Sequence, residues 1–152
     1  MRDHFLALKR RTTKEVLPMA TINLTKENFE QTIADNDIVL VDFWAEWCGP
    51  CRTFGPTYEK VSEQYPNAVF AKVDTEAEQE LAGQFNIRSI PTLMVFRDQI
   101  GIFSQPGALP ESSLTDLVDQ TLALDMDAVK AEVEEEQDHT HDHSEPATTS
   151  AE

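Results

Sequence analysis

Two cysteines three positions apart, in Trp47-Cys48-Gly49-Pro50-Cys51, are the residues of this chain best suited to chemistry. Positions i and i+3 share a helix face, so the two sulfurs can join as a disulfide and separate again as two thiols. The pair follows an apolar run and precedes a helical pattern, which puts Cys48 at a helix N-terminus. There the unsatisfied N–H groups of the first turn and the positive end of the helix dipole favour a thiolate. Cys48 is therefore the expected nucleophile by position. Cys51, one turn further in, is the expected shielded thiol that attacks a mixed disulfide afterward.

Other chemistries fit these residues less well. A structural zinc site takes four ligands, whereas the chain has two cysteines and three of its four histidines stand in the C-terminal tail, so no metal is expected. A purely structural disulfide closing so short a loop would remove little chain entropy. Two unpaired buried cysteines would need neither Gly-Pro between them nor a strand-to-helix junction.

The elements that must position the pair can be read on either side of it. Thr21-Ile22-Asn23-Leu24-Thr25 alternates as a strand, and Thr25 is placed to cap a helix carrying Phe29 and Ile33. Ile38-Val39-Leu40-Val41-Asp42-Phe43-Trp44 is an apolar run broken by one acid, the pattern of a central strand covered on both faces. Phe54, Tyr58, Val61 and Tyr65 mark one face of the helix after Cys48, with Pro56 expected to kink it. Val69-Phe70-Ala71-Lys72-Val73 and Thr92-Leu93-Met94-Val95-Phe96 read as strands, with a short helix between them at Leu81 and Phe85. Ile102-Phe103-Ser104 should pair as a hairpin across Asp98-Gln99-Ile100-Gly101, which lacks an Asn-Gly type turn, and Pro106 follows, so an irregular edge is expected. A last helix from Pro110 carries Leu114, Leu117, Val118 and Leu122, and the stripe continues through Met126, Val129 and Val133, so either this helix is unusually long or a second helical segment follows it after Leu124-Asp125. The acidic, His-containing tail over residues 127–152 is expected to be helical at first, and from Glu134 onward no apolar periodicity offsets the entropy of ordering, so disorder is expected there. Alternating strands and helices followed by a hairpin predict an α/β domain with helices on both faces of a mostly parallel sheet.

Charge divides the 152 residues into three zones. Residues 1–19 carry +3, residues 20–126 carry −11 and residues 127–152 carry −8, for a net charge of −16. Such an acidic chain would be repelled by a phosphate backbone, so no nucleic-acid partner is expected. No stretch approaches the roughly 18 apolar residues of a membrane span, and a soluble protein is expected. The basic leader has one apolar cluster, Phe5-Leu6-Ala7-Leu8, too short for a secretory h-region and without a cleavage site of small residues after it. Asp3 and Glu15 count against a transit peptide. The leader should lie outside the fold, or upstream of a true start at Met19.

The segment Val41-Asp42-Phe43-Trp44-Ala45-Glu46-Trp47-Cys48-Gly49-Pro50-Cys51 resembles the active-site segment of the thioredoxin family. The similarity extends to Pro56, Ala71-Lys72-Val73-Asp74, Ile87-Arg88-Ser89-Ile90-Pro91-Thr92-Leu93 and Gly107-Ala108, in register over residues 20–125. It implies a thioredoxin fold over residues 20–126: three α/β/α layers around a mixed sheet of about five strands, with about four helices. It also implies a role for Asp42 that burial already suggests. An acid inside a doubly covered strand is desolvated, its pKa should rise, and it can accept the Cys51 proton. The competing reading is an acid at an exposed strand end. In the family the residue matching Lys72 tempers that shift; a solvated lysine at a strand end is the alternative. Ile90-Pro91 resembles a cis-proline loop that offers backbone groups to an extended substrate. With Trp47, Gly49, Pro50 and Gly107 it would make a shallow apolar platform beside Cys48. Ser89 and Thr75 depart from frequent family choices in this groove.

The resemblance implies a protein-disulfide reductase that binds no cofactor and works as a monomer in the cytoplasm. It would act on disulfide-containing proteins and draw electrons from NADPH through a thioredoxin reductase. Gly-Pro between the cysteines agrees with reducing members, and the lack of an export signal agrees with a compartment that keeps thiols reduced. A dedicated reductant with narrow substrate choice is a second reading. A third is a binding protein, an adaptor or holdase whose acidic tail recruits partners, with the cysteines incidental. His139, His141 and His143 in that tail could chelate a metal weakly or be part of a solvated segment.

Overall fold

The computed structural model describes residues 20–141. In chain order the elements are β1 (Thr21–Asn23), α1 (Phe29–Asp35), β2 (Ile38–Trp44), α2 (Gly49–Ser62), β3 (Val69–Asp74), α3 (Gln79–Gln84), β4 (Thr92–Arg97), β5 (Ile100–Pro106), α4 (Glu111–Leu122) and α5 (Met126–His141). One five-stranded sheet has the order β1-β3-β2-β4-β5, with β1, β3 and β2 parallel and β4 and β5 antiparallel to their neighbours. The apolar run of β2 occupies the middle strand, and its first six residues are buried.

Alternation along β2 feeds two separate cores. Val39, Val41 and Phe43 join Phe29, Ile33 and Leu81 on the side of α1 and α3. Ile38 and Leu40 join Phe54, Tyr58, Val61, Leu114 and Val118 on the side of α2 and α4. Asp42, two residues beyond Leu40, therefore points to the α2 side of the sheet. Thr21 pairs with Phe70, Phe70 with Leu40, Leu40 with Val95 and Val95 with Phe103, so these five residues form one row across all five strands.

Local chemistry explains where the structure departs from the sequence expectations. Thr25 does not cap α1. Asn28 holds that position, and its Oδ1 accepts the Thr25 N–H at 2.7 Å, closing a separate turn ahead of the helix. The β4–β5 turn places Asp98 and Gln99 at φ 49° and 69°, the left-handed pair that a tight hairpin needs, without a glycine. The expected irregularity is a register shift between Val95 and Phe96.

Among the described residues five helices form where about four were expected, because the stripe past Leu122 builds α5 after a break at Ala123. Met126 is buried, Val129 and Val133 are half-buried, and Lys130 Nζ reaches Asp98 at 3.3 Å. The expected disorder from Glu134 is corrected in part, since α5 runs on to His141. Once nucleated by its docked first turns, a helix propagates readily through Glu and Gln. His143 and the rest of the tail lie outside the described residues, as does the leader.

We propose residues 20–126 as the folding unit. A chain ending at Met126 should fold and keep insulin reduction, with its melting temperature lowered by roughly 5–10 °C, since it loses the half-buried Val129 and Val133 as well as an exposed ion pair that contributes about 0–1 kcal/mol. Calorimetry checks this, and loss of cooperative unfolding would make α5 part of the core.

Candidate active site

β2 delivers the chain to the C-terminal end of the sheet, and the turn after Trp44 sets Cys48 at the N-cap of α2. Cys48 has extended backbone, φ −85° and ψ 114°, and Pro50 sits in the first helical turn, where its missing N–H costs no bond. Cys48 and Cys51 form a disulfide with their Cα atoms 5.3 Å apart. The Cys51 backbone N–H donates to Cys48 Sγ at 3.2 Å, so the helix N-terminus is aimed at that sulfur. Cys48 Sγ also lies 3.6 Å from the Ile90 carbonyl oxygen.

Exposure does not separate the two cysteines as the sequence suggested. Both are 3 % exposed, packed with Ala45 against Trp44 and Ile90. What distinguishes them is place: Cys48 caps the helix, and Cys51 lies inside its first turn.

Asp42 is fully buried, and neither carboxylate oxygen has a hydrogen-bond partner. Burial pushes its pKa up to about 7, and the positive charge of Lys72 pulls the other way. Lys72 is the register partner of Asp42 on β3, and its Nζ lies over the Trp44 ring, 4.4 Å from the centroid. The exposed-end reading of Asp42 is thus excluded. Lys72 is half-buried between the carboxylate and an aromatic face rather than freely solvated.

Around the disulfide, Trp47 is 70 % exposed, and Gly49 and Pro50 are also at the surface. The Ile90–Pro91 peptide is cis, and the Gly107 N–H donates to the Pro91 carbonyl at 2.8 Å. Gly107 holds φ 106°, a conformation that disfavours side chains. A cleft of about 290 Å³ lies between Trp47, Thr75, Ile87 and Ile90, with Arg88 and Ser89 at its lip. Of the residues singled out for chemistry, Asp42 and Lys72 stand in β2 and β3, Cys48, Gly49, Pro50 and Cys51 at the start of α2, and Trp47, Ile90, Pro91 and Gly107 in loops.

Three further residues support the site. Glu76 Oε1 accepts the Trp47 indole N–H at 2.8 Å, fixing the exposed ring. Thr75 donates to the Trp44 carbonyl through both N–H and hydroxyl, at 2.9 and 3.1 Å. Tyr58, fully buried under the sheet, donates to the Ala71 carbonyl at 2.9 Å, and burial together with the Asp42 charge raises its pKa well above the usual value. Periodicity marked Tyr58 only as a core residue, and nothing in the spacing marked Glu76. Glu76→Ala should cost roughly 2–10-fold in kcat/KM on insulin, the worth of one hydrogen bond, with little change on a small aromatic disulfide. Steady-state kinetics on both substrates measures the difference, and equal losses on the two would deny Glu76 this positioning role.

The sequence model of the family described as Thioredoxin matches residues 20–120. A relative from Streptomyces coelicolor, named "Putative thioredoxin 2", is 61 % identical over 118 residues, covering 78 % of this chain and 88 % of its own. Thioredoxin C-3 of Corynebacterium nephridii is 44 % identical over 108 residues, covering 70 % of this chain and 74 % of its own. Among solved structures, a mutant thioredoxin from Halobacterium salinarum superposes with a TM-score of 0.63 at 32 % identity, over 70 % of this chain and 95 % of that one. With a helix-capping cysteine pair already joined as a disulfide, these likenesses lead to one conclusion: the chain belongs to the thioredoxin family and is a thiol–disulfide oxidoreductase of the protein-disulfide reductase type.

Proposed function

We propose that Cys48 attacks substrate disulfides and that Cys51 resolves the product, with Asp42 as the acceptor of the Cys51 proton. The observation that carries this reading is the Cys51 N–H aimed at Cys48 Sγ. A donor at the mouth of a helix lowers the energy of a thiolate on Cys48 and leaves Cys51 as the thiol. The Cys48 thiolate attacks one sulfur of a protein disulfide, forming a mixed disulfide and expelling the other sulfur as a thiolate. Cys51 then loses its proton toward Asp42, attacks Cys48 Sγ, and releases the second substrate thiolate. Two electrons pass to the substrate, and the Cys48–Cys51 disulfide remains.

The platform of Trp47, Gly49, Pro50, Ile90, Pro91 and Gly107 would hold an extended segment of the substrate beside Cys48. Backbone groups of the Ile90–Pro91 loop suit such a segment, because they bond to main chain whatever its side chains. Lys72 moderates the Asp42 charge. Reducing equivalents would come from NADPH through a thioredoxin reductase, in a monomer working in the cytoplasm. The adaptor reading leaves the N–H aimed at Cys48 and the orphaned Asp42 carboxylate without a purpose.

NADPH-coupled insulin reduction with a thioredoxin reductase tests the whole cycle. Turnover should depend on both proteins and vanish in the Cys48→Ser, Cys51→Ser double variant. Activity surviving in that variant would move the function away from the cysteines.

A further inference from the structure

The active site uses the end of the sheet where β2 stops, and a second concavity lies near the other end. It is a groove of about 370 Å³ between β5, α4 and α5, with a floor of Ile102, Phe103, Leu117, Val129 and Val133 and a rim carrying Glu132 and Glu136. It abuts Ile100, the register partner of Arg97, and Arg97 in turn pairs with Ile38 at the start of β2. Nothing in the reductase cycle requires it.

We propose that the chain's own leader occupies this groove, with Phe5-Leu6-Ala7-Leu8 on the apolar floor and Lys9-Arg10-Arg11 against Glu132 and Glu136. Three observations carry the assignment. First, the order of chemistry matches: an apolar tetrad followed at once by three cations meets an apolar floor edged by two glutamates one helical turn apart. Second, charge draws the partners together, since residues 1–19 carry +3 while residues 127–152 carry −8.

Third, the leader can reach. It joins the fold at Ala20, next to Thr21, and Thr21 stands in the same cross-sheet row as Phe103 on the groove floor. Four strand spacings of about 4.8 Å put that floor roughly 19 Å away. With Lys9-Arg10-Arg11 at the rim, the tether is residues 12–19, which extend to about 26 Å, longer than that span. A leader held there stays clear of Cys48, so insulin reduction should proceed at its ordinary rate.

Photo-crosslinking on the full chain, with p-benzoylphenylalanine in place of Phe5, tests the assignment. The main product should be an intrachain cross-link to residues 100–103, 117–124 or 129–136, with a yield unchanged on tenfold dilution. Val133→Asp should lower that yield. Glu132→Gln with Glu136→Gln, both at exposed positions that leave the fold intact, should lower it roughly threefold to tenfold, as should added salt. Trypsin cleavage at residues 9–11 should speed up in the same variants. Cross-links between chains would assign the groove to a second copy and overturn the proposal. Cross-links elsewhere on the surface, or a yield that neither variant lowers, would overturn it as well.

Discussion

Replacing Cys51 by serine is expected to turn the protein from a catalyst into a trap. In Cys51→Ser, Cys48 still caps α2 with the N–H of position 51 aimed at its sulfur, so attack on a substrate disulfide goes ahead. The mixed disulfide then has no neighbouring thiol to displace it, and turnover falls by several orders of magnitude while a covalent complex accumulates. Non-reducing gels after incubation with oxidised insulin, with a Cys48→Ser control that captures nothing, display the result. Capture through Cys51 in the Cys48→Ser protein would reverse the two roles. Because the cysteines are equally buried in the disulfide form, this experiment tests the helix-cap argument separately from exposure.

Asp42→Ala should make the protein more stable and less active, to an extent set by pH. In the unfolded chain this carboxyl titrates near 3.9, whereas in the fold burial raises it to about 7. Between those values the folded state holds a proton that the unfolded state has released, so Asp42 lowers stability progressively as pH rises through the window, and by its full amount above pH 7. Three pKa units correspond to about 4 kcal/mol, from which the small cavity left by alanine subtracts some. The oxidised variant should therefore gain on the order of 3 kcal/mol at pH 8 and lose a little, about 0.5–1 kcal/mol, at pH 4, where only the cavity is left, read from urea melts. The same change removes the acceptor for the Cys51 proton, so insulin reduction should slow most at low pH, where little thiolate forms unaided. A variant that is less stable at pH 8, or equally active throughout pH 5–9, would deny Asp42 this role. Opposite movement of stability and activity is the trade expected where function keeps an unfavourable group in the core.

Asp42 was legible in the sequence for the same reason that it is unfavourable: it is the one acid in a run whose other members all seek burial. The cysteine pair was legible because a strand, a short turn and a helix pattern fix where Cys48 must sit. β2 as the middle strand followed from an apolar run too continuous for a sheet with one wet face. Other features depended on partners that are distant in the chain. Glu76 holds Trp47 across 29 positions, and no local period announces that bond. The cap of α1 turned on competition between Thr25 and Asn28, either of which has the chemistry to serve. The extent of α5 went unread because its second half is highly acidic, a composition that resists ordering alone but extends a helix whose first turn is already docked.

The two margins of the sheet bear on what another chain can add to it. One margin, β1, is three residues long, and the other, β5, is interrupted by a register shift opposite Val95 and Phe96 and ends in Pro106. A short strand offers too few free amide and carbonyl groups to template another, while an irregular margin with a missing donor breaks the ladder that an incoming strand would extend. A client polypeptide is thereby discouraged from adding to the sheet as another strand, and encounters that would seed self-assembly find no straight border on which to grow.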